Sequence, residues 1–107
     1  MREIGSRIGA ILKADKETVH LIGFGVYDGE QIPPKNIYPM LHAHGIQNPK
    51  LVMDDGQVVW GCECWWASEE KTKTMIGDRN VVTVDMAAER ERSREVPHPH
   101  ETQTAQN

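Results

Sequence analysis

The sequence predicts a single α+β domain with a mostly antiparallel sheet, elements in the order β-β-α-β-β-α-β-α, and helices packed on one face. Three observations lead there. Residues 51–66, LVMDDGQVVWGCECWW, read as a hairpin running into a Trp-rich strand. Two β-rich runs precede it, at 4–14 and 19–27. Short helix start and stop signals fall between and after the strands. A chain of 107 residues suits one core that buries roughly two thirds of the unfolded surface. The domain is assigned to residues 1–96, and the polar 97–107 segment has the composition of a flexible tail.

The first run, residues 4–14, places Ile8, Ala10 and Leu12 on one side, with Arg7, Ile11 and Lys13 on the other. A polar turn at 15–18 leads into the second strand, and the two form an antiparallel hairpin. Gly23 and Gly25 sit inside that second strand. Pro33-Pro34 follows too soon for a dinucleotide-binding loop, which needs a helix at its glycines. The glycines are therefore read as places where a neighbour approaches closely or the strand bends. Residues 27–30 are expected to turn out of the sheet into a Pro-rich connector, and Pro39 and Gly45 bracket a short helix over 40–44.

The hairpin depends on its phase. Asp55-Gly56 suits a two-residue type I′ turn, which pairs Asp54 with Gln57, Met53 with Val58, Val52 with Val59 and Leu51 with Trp60. One face then carries Leu51, Met53, Val58, Trp60, Cys62, Cys64 and Trp66. The other carries Val52, Val59, Glu63 and Trp65. Ser68 with Glu69 and Glu70 begins a helix that Gly77 ends, its inner face being Thr72, Met75 and Ile76. A last strand, 81–86, turns Val82, Val84 and Met86 inward, and a charged helix over 87–95 follows, with almost no apolar stripe.

A formal charge of −4 argues against broad nucleic-acid binding, which requires a basic stripe. No segment reaches membrane-spanning length, and two cysteines that are poorly placed to bridge suit a reducing, cytoplasmic setting. No cofactor and no metal is expected. Cys62-x-Cys64 is not the usual zinc spacing, and His42 and His44 diverge on a helix. His98 and His100, alternating with prolines, read as solvated.

Glu63 is the one acid expected in a buried strand, where desolvation beside Trp65 should raise its pKa. It would then serve with His20 in a small hydrolase, or pair structurally with an arginine such as Arg7 or Arg79. A binding site is easier to assemble. Tyr27, Trp65 and Trp66 offer flat surfaces for a base. Arg7, Arg79 and the late arginines Arg90, Arg92 and Arg94 can grip phosphates. The expected ligand-binding set is Tyr27, Trp65, Trp66, Glu63, Arg7 and Arg79.

The segments GFGVYDGEQIPP and LVMDDGQVVWGCECWWASEE resemble those of small phage, prophage and bacterial proteins over residues 23–70. That resemblance implies a host-directed inhibitor, acting in the host cytoplasm if phage-encoded. One such class sequesters nucleotide immune signals in pockets between subunits. The resulting expectation is a homo-oligomer that binds a small anionic, nucleotide-like ligand without turning it over. The alternative is an inhibitor that binds a host protein directly.

Overall fold

The strand Thr18–Gln31, β2, organises the sheet because it is long enough to hold three partners. In a computed structural model the protein is described over residues 2–95, the side chains of 94 and 95 excepted, so the expectations for 97–107 lie outside the described residues. β1 (Arg7–Ala14) runs antiparallel along one edge of β2. The other edge takes β3 (Asn48–Met53) at residues 25–31 and β6 (Asn80–Thr83) at residues 18–21. β4 (Val58–Trp60) extends β3, and β5 (Trp65–Ser68) extends β1, giving the order β4-β3-β2-β1-β5. The fold is α+β as expected, a six-stranded and mostly antiparallel sheet with three short helices. β6, which pairs parallel to β2, is the exception.

The sheet has to curl. β4 and β5 sit at its opposite edges, yet only residues 61–64 lie between them. Crossing four strand spacings on a flat sheet would take about 19 Å. The link, tightened by a 3₁₀ turn over Gly61–Glu63, falls well short of its extended reach. Curling wraps one face around the core of Ile8, Ala10, Ile22, Tyr27, Leu51, Met53 and Val59.

Two expectations about the central hairpin are corrected. Its true pairs are Leu51 with Val59 and Val52 with Val58, one residue out of the predicted register. The loop holds an extra residue because the Asp54 N–H donates to the Phe24 carbonyl on β2 (2.8 Å) instead of crossing the hairpin. The turn is closed instead by Gly56 N–H to the Met53 carbonyl (2.9 Å), with Gly56 at φ +94°. Val59, not Val58, therefore joins the core, fully buried. Second, the strand stops at Trp60, so Cys62 is exposed, while Cys64 and Trp66 still pack against the core from beyond the break. Gly61 sits against the Pro49 ring, where a Cβ would come within 2.7 Å, and the chain turns there.

The remaining elements agree more closely. β2 carries on past Tyr27, through a bulge, where a turn out of the sheet was expected. α1 is Pro39–Ala43. α2 is Glu69–Ile76, its N-terminus capped by Ser68 Oγ accepting from Lys71 N–H (3.1 Å). Thr72 is its buried residue and presses on Gly9, and Lys73 reaches over the Phe24 ring. Met75, expected inward, is 41% exposed. Gly9 points away from Ile8 and Ala10, so α2 covers the back of the sheet. α3 (Met86–Glu95) enters on the core side, which refines the single helical layer expected. Val82 of β6 is exposed rather than inward, because β6 touches only the end of β2. Met86 does enter the core, but as the first residue of α3.

Gly25 allows β3 to approach β2, since a Cβ there would stand 2.2 Å from the Val52 carbonyl oxygen. Gly25→Ala is accordingly expected to lower stability in urea unfolding by about 3 kcal/mol. Gly56→Ala, whose cost is only its turn conformation, should lose about 1 kcal/mol.

Candidate functional site

Glu63 lies at the end of the 3₁₀ turn, its side chain only 2% exposed, and it gathers four hydrogen bonds from three elements. Trp60 N–H donates to Oε1 (2.9 Å), closing the turn upon itself. Tyr38 Oη, from the Pro-rich connector, donates to Oε2 (2.7 Å). Arg90, from α3, donates Nε to Oε2 (2.7 Å) and Nη2 to Oε1 (2.6 Å) in a bidentate pair. Arg90 Nη2 also donates to the Val58 carbonyl (2.9 Å).

Local sequence explains how each partner arrives. Pro33-Pro34 stiffens the connector, and Ile37 and Tyr38 N–H both return to the Pro34 carbonyl, which aims Tyr38 inward. Asp85 Oδ1 accepts from Ala87 N–H (3.0 Å) and starts α3. Met86 N–H donates to Gln57 Oε1 (2.8 Å) while the Met86 side chain enters the core. Arg90 then falls one turn along, on the side that faces Glu63.

Above this network lies a cleft of about 320 Å³. Leu12, Ile37 and Met86 give it an apolar lining, and Tyr38, Glu63, Glu89, Arg90 and Ser93 a polar one.

The electrostatics differ from the sequence expectation. Burial pushes the Glu63 carboxyl up, but the donors on Arg90, Tyr38 and Trp60 outweigh it and hold the group below the usual glutamate range. The neighbour that decides its state is Arg90, not Trp65. Burial, then its bond to Glu63, raises the Tyr38 phenol. Burial pushes the Cys64 thiol up to about 12 and raises Cys62 as well. Neither cysteine has the lowered pKa of a nucleophile. His20 lies in β2 opposite Lys13 and is not among the residues lining this cleft, and the hydrogen bonds of Glu63 come from Arg90, Tyr38 and Trp60.

A second surface unites part of the predicted binding set. Trp66 stacks on Tyr27 with ring centroids 5.6 Å apart and planes 8° from parallel. The Arg2 guanidinium lies over the Trp66 ring, 5.4 Å from its centroid. Arg2, Glu3, Ser6 and Trp66 line an open depression there. Tyr27 is otherwise buried, its hydroxyl donating to Glu30 (2.7 Å).

The other predicted residues stand apart. Trp65, 39% exposed, pairs across from Ile11 and so faces away from Trp66. Arg7 is held by Asp54 (2.8 Å, bidentate) and by Glu69 (3.0 Å). Arg79 donates to the Asp15 carbonyl (3.0 Å) beyond the far end of β2. Arg92 pairs with Glu89, and the Arg94 side chain lies outside the described residues. Sequence reasoning missed Arg2, Tyr38 and the pairing of Arg90 with Glu63. A guanidinium four residues into α3 and an aromatic closing a Pro-rich connector carry no local signal of where they point.

Among the described residues no group of three or more His, Cys, Asp or Glu is arranged to hold a metal, and no helix is long and apolar enough to cross a membrane. No family model, curated protein or solved structure matches this chain.

Glu63→Ala leaves the Arg90 guanidinium buried without its partner and is expected to cost about 3–5 kcal/mol in urea unfolding. A pH profile adds a second check. The folded Glu63 value lies below the unfolded one, so this group adds stability above about pH 4.3, and that stability is lost as pH falls through the folded value. Asp15 is also held low, by the backbone N–H groups of Glu17 and Thr18, and Asp54 by Arg7. Both are exposed. Glu63→Gln should therefore flatten part, not all, of the acid limb.

Proposed function

We propose that the protein binds a small anionic, nucleotide-like molecule without transforming it, in a site that a second copy of the chain completes. The observation that carries this reading is the stack of Tyr27, Trp66 and Arg2. Arg2 makes no ion pair among the described residues, whereas Arg7, Arg90 and Arg92 are each held by carboxylates. A ligand that needs both a flat surface and an unspent guanidinium meets them together here. A phosphate takes Arg2 bidentately, and a base replaces its guanidinium over Trp66.

Binding without turnover is favoured because the buried carboxylate of the cleft is already saturated by donors. Glu63 is ionised yet has no proton to give, and its lone pairs are engaged by Arg90, Tyr38 and Trp60. The second copy enters because one guanidinium is a weak grip on a charged ligand and the depression is open to solvent. Sequestration of a host signal is the biological setting that the phage-type resemblance implies. A second reading, direct binding to a host protein, is favoured by Val81 and Val82, which are 47% and 45% exposed on β6 at an open sheet edge.

Native mass spectrometry of freshly purified protein tests the first reading. An oligomer releasing a phosphorylated, ultraviolet-absorbing molecule on denaturation is expected. Arg2→Ala should weaken rebinding of that molecule by about tenfold or more with the fold intact. An empty monomer whose tryptophan fluorescence no nucleotide perturbs would contradict it.

A further inference from the structure

The depression beside Trp66 carries a second unpaired charge. Arg2, Glu3, Ser6 and Trp66 line it, and among the described residues the exposed Glu3 carboxylate makes neither a hydrogen bond nor an ion pair. Its backbone, by contrast, is fixed. Ser6 N–H and Oγ both donate to the Glu3 carbonyl (3.1 and 2.6 Å), which closes a turn over residues 3–6. Gly5 N–H donates to the Tyr27 carbonyl (2.7 Å), and Tyr27 N–H donates to the Ser6 carbonyl (3.0 Å). The turn is thus tied to the residue whose ring supports Trp66.

These groups accept hydrogen bonds and do not donate them. A carboxylate is acceptor only, and the Ser6 proton is spent inside the turn. A base seated on Trp66 is therefore sorted by what its edge can donate. Guanine offers two adjacent donors, N1–H and the N2 amine, which a carboxylate takes side by side. Adenine and cytosine set a ring-nitrogen acceptor beside their amine, and that nitrogen repels a carboxylate. Uracil has one N–H flanked by two carbonyl oxygens.

We infer that the base this site selects is guanine, with Glu3 accepting from N1–H and the N2 amine of a ring stacked on Trp66. Arg2 then holds the phosphate. This rests on the nucleotide-binding reading above and adds to it the residue that chooses the base.

The test follows the tryptophan fluorescence of the full-length protein during titration with the 5′-monophosphates of guanosine, inosine, adenosine and cytidine. All four carry the same phosphate, and inosine keeps N1–H but lacks the N2 amine. Guanosine monophosphate should bind about tenfold tighter than adenosine monophosphate, with inosine monophosphate between them. Glutamine offers one acceptor and one donor, the pattern that adenine N6 and N1 complete. Glu3→Gln should therefore remove the guanine preference and turn it toward adenosine monophosphate, whereas Arg2→Ala should weaken all four to a similar degree. Equal affinities for the four, or a guanine preference that survives Glu3→Gln, would overturn the role of Glu3 and leave the nucleotide-binding reading standing. No response to any of the four would overturn both.

Discussion

The buried pair of Glu63 and Arg90 holds together parts of the chain that have little else in common. Glu63 fixes the 3₁₀ turn by accepting from Trp60 N–H, and that turn carries the chain from one edge of the curled sheet to the other. The same carboxylate anchors Tyr38 of the connector and Arg90 of α3. Without it, α3 would keep little more than Met86 as an apolar foothold. A buried ion pair gives little net stability compared with apolar residues of the same shape, but losing one partner is expensive. Its contribution here is to specify one arrangement. A single carboxylate satisfied from three elements leaves few alternative ways to seat any of them.

That constraint also shapes what the surface can do. Spending Glu63 and Arg90 on each other removes the acid most suited to proton transfer and the arginine most suited to gripping phosphate within a cleft. Arg2, over the Trp66 ring, is left without an ion pair among the described residues. The cleft itself keeps an apolar lining of Leu12, Ile37 and Met86 beside its paired charges.

Much of the fold was legible in local signals. Ser68 and Gly77 bracket α2, Pro39 opens α1, and Gly25 marks the close approach of β3, each for reasons that act within a few residues. What was not legible depends on distant partners. Asp55-Gly56 favours a two-residue turn until the Asp54 N–H is claimed by Phe24 and its carboxylate by Arg7, which lengthens the loop and moves Val59 into the core. The run from Val58 to Trp66 reads as one strand until Pro49 and the Glu63 cap break it at Gly61. Tyr27 and Trp66 were recognisable as aromatics suited to a site, but their stacking follows from the crossing of the sheet that places β5 beside β1.

A double-mutant cycle across Glu63 and Arg90 tests most directly whether this pair organises the molecule. Unfolding free energies of the wild type, Glu63→Gln, Arg90→Met and the double variant give the coupling between the two side chains. If the pair acts as one unit, the coupling is at least about 2 kcal/mol, and the double variant is no less stable than the worse single one. Losses that add to within about 0.5 kcal/mol would show two independent contacts and contradict the account.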